Sequence, residues 1–279
     1  MKKKLLFTII LIMSYNSSAN ERISNLIMPV SYFVNHVKQL KNTQENLRKY
    51  RQTSIVGTSG IGKTQLARTY AYDNKNNYNI IWFFDCNLDL NEEFVKLAKN
   101  LNNINKTNIS EDIILSKKGV MDYLSHKDKW LLVFDNLKIN ENKKIQNLVD
   151  WENNGNIIFC SQDAKELQNT IEMSLFSNRD SITLAHNLLQ NKDDVEFLVK
   201  TFKGYPILIV QAAQLLNQVK GLNKEEYQKK IYQSADKIKL NIELAIKELT
   251  PTAAKLLNKI ALINNQSFSK QILNIITDN

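Results

Sequence analysis

Residues 53–64 read TSIVGTSGIGKT, in which a short β-rich run leads into a glycine-rich loop. The loop, residues 57–64, matches the pattern G-x-x-x-x-G-K-[ST] at every fixed position. A helical pattern follows over residues 63–72, so the motif has the strand–loop–helix setting that is typical of phosphate-binding loops. The sequence therefore predicts that this segment binds a purine nucleoside triphosphate or diphosphate.

The residue types in the loop suit that chemistry. Gly60 and Gly62 let the backbone curl so that successive N–H groups face the phosphates. The helix that begins near Lys63 adds its positive end, and the Lys63 ammonium is expected to contact the β- and γ-phosphates. The Thr64 hydroxyl is a predicted Mg²⁺ ligand. The predicted nucleotide contacts are Gly57, Thr58, Ser59, Gly60, Ile61, Gly62, Lys63, Thr64 and Gln65.

A second apolar strand, residues 130–134, ends in Asp135. One further strand separates it from the loop, which favours a carboxylate that holds Mg²⁺ at the carboxyl edge of the sheet. The alternative is an ordinary strand-end Asp that caps the next turn. Asn136 follows, and because an amide cannot accept a proton from water, no general base follows the metal carboxylate. Asp85, at the end of the neighbouring strand, is a candidate substitute acid.

Short apolar strands alternate with helices over the first two thirds of the chain. This alternation predicts a doubly wound parallel α/β sheet, and only helices are expected past residue 187. Strands are predicted over 53–56, 79–86, 130–134 and 156–160. Helices are predicted over 37–50, 63–72, 91–101, 143–151, 192–202, 207–219, 224–244 and 252–263, with Ser110 as the N-cap of a further helix through Leu124.

The first residues have the layout of a signal peptide, predicted over 1–19. Three lysines, Lys2–Lys4, precede an apolar run over 5–13 and a small-residue end at Ala19. The apolar run is too short for a permanent membrane span. The alternative is that translation starts at Met28 and the protein stays in the cytoplasm.

The basic composition does not indicate a nucleic-acid partner. The net charge is +9 and the pI is near 9.3, but only five of the 37 basic residues are arginine. The lysines are scattered and form no aromatic-laced stripe, which points to compositional bias. We expect no specific nucleic-acid binding.

The order of several motifs resembles the NB-ARC branch of the STAND nucleotide-binding switches. The resemblance covers about residues 30–265 and implies a sheet order 5-1-4-3-2, counted from the strand before the loop. It also implies a P-loop domain over 30–187, a small helical domain over 188–247 and a partial winged-helix domain over 248–279. The matching segments are GTSGIGKTQLA at 57–67, WFF at 82–84, LVFDN at 132–136, GYPIL at 204–208 and the stretch 249–263.

The resemblance also implies roles for individual residues. Pro206 takes the place of a proline that contacts the base side of ADP, although a proline is also favoured at a helix start. Residues 33–36 replace the family's adenine-flanking Gly-Arg motif. Gln162 replaces an arginine that senses the γ-phosphate, which with Asn136 argues for weak or no hydrolysis, at most a slow Mg²⁺-dependent ATPase. The family usually carries sensor repeats after the winged helix, and we expect this module to lack them.

Three functional interpretations remain open. The first is an ATP/ADP- and Mg²⁺-binding STAND switch module that acts on an unidentified protein partner. The second is a non-cycling scaffold with permanently bound ADP. The third is a P-loop ATPase that acts on nucleic acid, which the scattered lysines disfavour.

The two cysteines bear on the compartment. Cys86 ends the second strand and Cys160 the fourth, and in the sheet order that the resemblance implies the third strand lies between them. Two strand spacings, roughly 9–10 Å, exceed the limit of about 7 Å for the Cα atoms of a disulfide. We expect two thiols, which suit a reducing compartment. A protein that is exported and works as an effector inside another cell satisfies both this and the signal peptide.

Overall fold

The computed structural model describes residues 22–34, 36–138, 155–219 and 222–261. The chain divides between Ser174 and Leu175 into two compact units. We call the part before this division the sheet unit and the part after it the helical unit.

The sheet unit alternates strands with helices. A single turn of 3-10 helix, Lys75–Asn77, separates α2 from β3. The elements are β1 (Ile23–Ser24), α1 (Val37–Tyr50), β2 (Gln52–Val56), α2 (Lys63–Asp73), β3 (Ile80–Asp85), α3 (Leu90–Asn105), α4 (Leu115–Ser125), β4 (Trp130–Leu137), β5 (Asn156–Ser161) and β6 (Thr170–Glu172).

The sheet has six strands in the order β1-β3-β4-β5-β2-β6, and all neighbouring pairs are parallel. The predicted class, a parallel α/β sheet, is confirmed. The expected order 5-1-4-3-2 corresponds to β6-β2-β5-β4-β3, so the prediction lacked the edge strand β1. With only two residues, β1 gives no periodicity that sequence reasoning could detect. The carboxyl ends of β2, β4 and β5 meet at one edge, where ligands of open parallel sheets bind.

Helices cover both faces of the strands, which explains the apolar runs in the sequence. On one face Phe84 and Phe134 stack with ring centroids 4.7 Å apart, and Phe159 lies next to Phe134. On the other face Ile55 and Val133 pack in the same buried cluster as the side chains of α2. The central strands therefore place the residues that follow them in fixed positions.

The predicted start of α4 was wrong. Ser110 is not its N-cap, because the helix begins at Leu115. The Asp112 carboxylate accepts hydrogen bonds from the N–H groups of Ile114, at 2.8 Å, and Leu115, at 3.1 Å. Short polar side chains such as Asp and Ser bond to nearby backbone groups and so hold local turns in place of a helix.

The helical unit contains six helices among the residues that the structure describes, and a turn of 3-10 helix, Lys192–Asp194, precedes the second of them. The first, α5, was not predicted, and the predicted domain boundary near residue 187 lies within it. The helices are α5 (Asn178–Leu188), α6 (Val195–Phe202), α7 (Pro206–Gln218), α8 (Lys224–Gln233), α9 (Lys237–Lys247) and α10 (Pro251–Ala261).

The single helix predicted over 224–244 is two helices, α8 and α9. The break falls at residues 234–236, where the Asp236 carboxylate accepts a hydrogen bond from Lys239 N at 2.9 Å and caps α9. The sequence offers no glycine or proline there, so the cap was the available signal. The helix predicted over 143–151 and most of the predicted winged helix lie outside the described residues.

No helix in the described ranges has the length and apolar character that a membrane crossing requires. The cysteines behave as predicted: Cys86 and Cys160 are buried thiols and do not form a disulfide. Strand β4 lies between the strands that position them. Burial raises the pKa of Cys160 well above its ordinary value, which makes this thiol a poor nucleophile.

Candidate functional site

The glycine-rich loop connects β2 to α2 at the carboxyl edge of the sheet. Its three glycines have positive φ, at 152° for Gly57, 76° for Gly60 and 110° for Gly62. A Cβ atom at Gly57 would lie 2.8 Å from the carbonyl oxygen of Met173, which is too close for any other residue. Gly62 is the N-cap of α2, so the curl of the loop ends where the helix begins.

The Lys63 side chain crosses the loop. Its ammonium donates hydrogen bonds to the carbonyl oxygens of Gly57, at 2.7 Å, and Thr58, at 2.9 Å. Only 8 % of the residue is exposed. Burial lowers the pKa of the Lys63 ammonium, while Cys160 and Asp135 act in the opposite direction. The charge is therefore held in place before any ligand arrives, and an anion would stabilise it.

The hydroxyl of Thr64 and the carboxylate of Asp135 form a pair beside the loop. Thr64 Oγ1 lies 3.0 Å from Asp135 Oδ1 and 2.8 Å from Oδ2. Burial raises the pKa of Asp135, and hydrogen bonds from Thr64 and from Asn136 N partly offset this effect. A half-buried carboxylate next to a hydroxyl supplies the kind of oxygen donors that Mg²⁺ prefers.

The donor set also fits Mg²⁺ better than a transition metal. Within the described parts of the chain, no group of three or more His, Cys, Asp or Glu side chains could hold a metal ion. Mg²⁺ usually binds through one or two protein oxygens and takes its remaining ligands from substrate phosphates and water. The Thr64–Asp135 pair matches that pattern.

Asn136 connects the ends of two strands. The pairing of β4 with β5 is irregular between Phe134 and Leu137, and Asn136 has a positive φ of 60°. This bend directs the amide toward β3, where Nδ2 donates to Asp85 Oδ1 at 3.0 Å. The sequence singled out Asn136 and Asp85 separately, but their contact depends on the bulge and has no sequence signal.

The segment before α1 lies against the loop. The Phe33 and His36 rings are 5.3 Å apart, and a Cβ at Gly62 would lie 3.8 Å from Phe33 Cε2. Val30 N donates to Gln65 Oε1 at 3.1 Å, which ties the same segment to the first turn of α2. The predicted adenine-flanking segment is therefore adjacent to the phosphate loop, although its third residue, Asn35, lies outside the described residues.

Met173 is a neighbour of the loop that sequence reasoning missed. It follows the short strand β6, its N–H donates to Val56 O at 2.8 Å, and it is 6 % exposed. Its methyl carbon would lie 3.7 Å from a Cβ at Gly62. A three-residue strand without a clear pattern gave no reason to place this methionine at the site.

Two further predicted residues lie in different units. Gln162 is exposed and directly follows β5, whose last residue accepts a hydrogen bond from Gly57 N at 3.2 Å. It therefore lies at the same sheet edge as the loop. Pro206 is buried as the first residue of α7 in the helical unit, a position that suits its fixed φ and missing N–H. Its contact with the base stays a prediction.

The parallel sheet and the loop together define a nucleotide-binding protein of the P-loop NTPase class. Residues 33–195 match the model of the NB-ARC domain, which is more than half of the chain. The chain therefore belongs to the NB-ARC domain family.

The chain is similar to solved structures, among which a Walker-type ATPase supports this fold. The Walker-type ATPase PABY2304 of Pyrococcus abyssi is 12 % identical in sequence, with a TM-score of 0.54 and coverage of 88 % of each chain. Domain III of the Thermotoga maritima replication initiation protein DnaA is 14 % identical, with a TM-score of 0.46 and coverage of 79 % of this chain and 96 % of that chain. Comparison with curated proteins finds no match.

Proposed function

We propose that the protein is an ATP/ADP-binding STAND-type molecular switch module with weak or no hydrolysis. The observation that carries the proposal is the loop itself, with the buried Lys63 ammonium held across it and the Thr64–Asp135 pair beside it. In this proposal the backbone N–H groups of residues 57–64 bind the phosphates, and Gln65 contributes to the same site.

The Lys63 contacts support a phosphate as the ligand. The ammonium has two carbonyl partners in the loop, and neutral carbonyls are weaker acceptors than phosphate oxygens. An arriving β- or γ-phosphate would replace them and relieve the cost of a buried charge. Thr64 and Asp135 would hold Mg²⁺ against the same phosphates, while Phe33, His36 and Pro206 are proposed to surround the base.

The residues at the sheet edge support weak hydrolysis. Asn136 follows Asp135 where an acid would serve as a base, and an amide cannot accept a proton from water. The exposed Gln162 carries no charge to stabilise the transition state of phosphoryl transfer. A protein with these two residues is better suited to holding a nucleotide than to turning it over.

A switch requires two states that ATP and ADP favour unequally. We propose that a protein partner distinguishes these two states.

We also propose export through the signal peptide. Cleavage after Ala19 would leave β1 in the mature protein, where Ile23 is 1 % exposed and pairs with Ile80. A chain that starts at Met28 would lack this strand. The pairing and burial of Ile23 support a start before Met28, and we propose that residues 1–19 are removed as a signal peptide.

The first experiment identifies the nucleotide that the purified protein carries. Residues 20–279 would be expressed and denatured, and any released nucleotide identified by chromatography. We expect ADP near one per chain, and its loss in Lys63→Ala, because charge-assisted bonds to phosphate contribute about 1.5–3 kcal/mol. Lys38→Ala, an exposed lysine of α1, is the matched control. A folded wild-type protein that binds neither ATP nor ADP would contradict the proposal.

The Mg²⁺ assignment has its own test. Thr64→Val removes the hydroxyl that contacts Asp135. The control is Thr69→Val on the same helix, which removes a hydroxyl that donates a hydrogen bond to the carbonyl oxygen of Gln65. We expect the Mg²⁺ dependence of ATP affinity to disappear in the first variant and to persist in the second. Equal Mg²⁺ dependence in both variants would remove Thr64 from the metal site.

A further inference from the structure

Two carboxylates lie side by side at the edge of the sheet that carries the phosphate loop. Strands β3 and β4 are parallel and in register, with Asp85 opposite Asp135 as the last aligned pair. Both side chains are half-buried. The charge of Asp85 is one of the influences that raise the pKa of Asp135, after the larger effect of burial, which is consistent with their proximity.

The two carboxylates have different partners. Both oxygens of Asp135 are within hydrogen-bond distance of the Thr64 hydroxyl, so this group is tied to the helix that follows the loop. Asp85 uses Oδ1 to accept from Asn136 Nδ2 and from Asn87 N, each at 3.0 Å. Both described bonds of Asp85 thus involve one oxygen, and the two donors fix the orientation of the group.

The backbone conformation of Asn136 directs its side chain toward Asp85. The residue after the metal carboxylate cannot itself accept a proton, but its positive φ turns the amide back to β3. There the amide holds the carboxylate of the neighbouring strand. A bulge next to a site commonly redirects a side chain in this way.

We propose that Asp85 is the carboxylate that orients the attacking water and accepts its proton in a slow ATP hydrolysis, and that Asn136 is the residue that positions it. This inference rests on the proposed nucleotide site. It assigns to a neighbouring strand the function that the residue after Asp135 cannot perform.

The step balances without a further reactant. The water oxygen forms a bond to the γ-phosphorus while the bond between that phosphorus and the β–γ bridging oxygen breaks. The bridging oxygen leaves with the electron pair as part of ADP. One water proton moves to the Asp85 carboxylate and is later released to solvent, so ATP and water give ADP, phosphate and one proton.

The test separates rate from affinity. ADP and ATP affinities would be measured by titration for residues 20–279, and hydrolysis by phosphate release in single turnovers with Mg²⁺ and excess protein. For Asp85→Asn we expect a rate loss of about 100-fold or more, with both affinities within about 3-fold of wild type. Asp85→Glu, which keeps the carboxylate, should restore part of the rate.

The matched control is Asp163→Asn. Asp163 is also half-buried and follows β5 at the same edge of the sheet. Its Oδ1 accepts a hydrogen bond from the backbone N–H of Lys165 at 2.7 Å. We expect this variant to keep both rate and affinity. Asn136→Ala should slow hydrolysis, and the double variant with Asp85→Asn should be no slower than Asp85→Asn alone, because a positioning residue acts only through the group that it holds.

Each outcome decides the inference. A wild-type protein that binds ATP but releases no phosphate overturns it and leaves the switch proposal intact. Unchanged hydrolysis in Asp85→Asn, or equal losses in Asp85→Asn and Asp163→Asn, also overturns it. If Asp85→Asn does not fold, Asn136→Ala and Asp85→Glu decide the same question. A wild-type protein that binds no nucleotide removes the proposed site together with this inference.

Discussion

A central strand of the sheet unit and a helix near the end of the helical unit bury their side chains very differently. In β4 of the sheet unit the five residues from Trp130 to Phe134 are each at most 1 % exposed. In α9 of the helical unit the buried residue is the polar Asn241, while Ile242 is 48 % and Ile246 is 42 % exposed. Segments with few buried apolar contacts open at lower free-energy cost than core strands. The sheet unit is therefore suited to hold a rigid site, and the end of the helical unit is suited to change.

This comparison can be tested because the tryptophans report on one unit. All three, Trp82, Trp130 and Trp151, precede the division at Ser174. Tryptophan fluorescence therefore follows the sheet unit during denaturation, whereas far-ultraviolet circular dichroism also follows the helices of the other unit. The two signals together assign a loss of stability to a unit.

The largest effect is expected in the aromatic stack of the sheet. Phe134→Ala should lower the free energy of unfolding by about 3–5 kcal/mol, because it removes a ring stacked on Phe84 and leaves a cavity. Ile246→Ala on the exposed face of α9 should cost about 0.5 kcal/mol or less. Urea denaturation monitored by fluorescence and circular dichroism measures both. Similar costs for the two variants would break the comparison between the units.

A chain that starts at Met28 should be less stable than one that starts at Asn20. The shorter chain loses Ile23, whose burial contributes about 1.5–3 kcal/mol to the free energy of unfolding. It also loses Asn25, whose side-chain amide forms hydrogen bonds with the backbone N–H and C=O of Phe83. Ile27→Ala, at a residue 62 % exposed, is the control and should change little. If denaturation followed by tryptophan fluorescence is identical for both starts, β1 does not belong to the core.

A smaller loss is expected from a polar contact in the helical unit. The buried Tyr227 hydroxyl donates to Asn241 Oδ1 at 2.7 Å. Tyr227→Phe leaves that oxygen without this donor and should cost about 1–2 kcal/mol. Tyr232→Phe on the same helix, at a residue 57 % exposed, should be neutral. The loss should be visible in circular dichroism; its appearance only in tryptophan fluorescence would contradict the assignment to this unit.

The smallest effect concerns the charge at Asp135 in nucleotide-free protein. Because burial raises its pKa in the folded state above the value in the unfolded chain, the folded state binds the proton more tightly. The contribution of Asp135 to the free energy of unfolding is therefore lowest at neutral pH, where the carboxylate is ionised. This contribution recovers as the pH falls through the pKa of Asp135 in the folded state. Asp135→Asn, which carries no charge, should have a higher melting temperature at neutral pH, with an advantage that shrinks on acidification.

Thermal melts of both proteins across a pH series check this prediction. Asp89→Asn is the control, because Asp89 is an exposed N-cap of α3 and Asn caps helices equally well. An advantage of Asp135→Asn that grows on acidification would mean that the carboxylate is stabilised, and not strained, by its surroundings.

Sequence reasoning succeeded where one local pattern sufficed. The helix α1 was predicted with the observed bounds, Val37–Tyr50, from its periodicity. The strands β3, β4 and β5 were found because strands buried on both faces are continuous apolar runs. Sequence reasoning failed where contacts between distant segments determine the structure, as in the two-residue β1 and the three-residue β6.

The candidate site shows the same division. Lys63, Thr64 and Asp135 were identified from a motif and a strand end, and the structure brings the last two within 3.0 Å. Met173 was missed because it approaches the loop only through the pairing of β6 with β2. The adjacent position of Phe33 was expected only by resemblance.

By itself the sequence determined the class of the fold and the phosphate loop, since phosphate chemistry requires these residue types at this spacing, and it predicted Asp135 as a metal carboxylate. Only the tertiary structure decided that β1 joins the core and that Lys63 is buried across its own loop. It also decided that Asn136 holds Asp85. For β1 and Asp85 the reason is physical: hydrogen bonds between parallel strands and the bulge at the end of β4 set their neighbours, and both join residues that lie far apart in the chain. For Lys63 the partners are only five and six residues away, and the positive φ angles of the loop glycines shape the loop that it crosses.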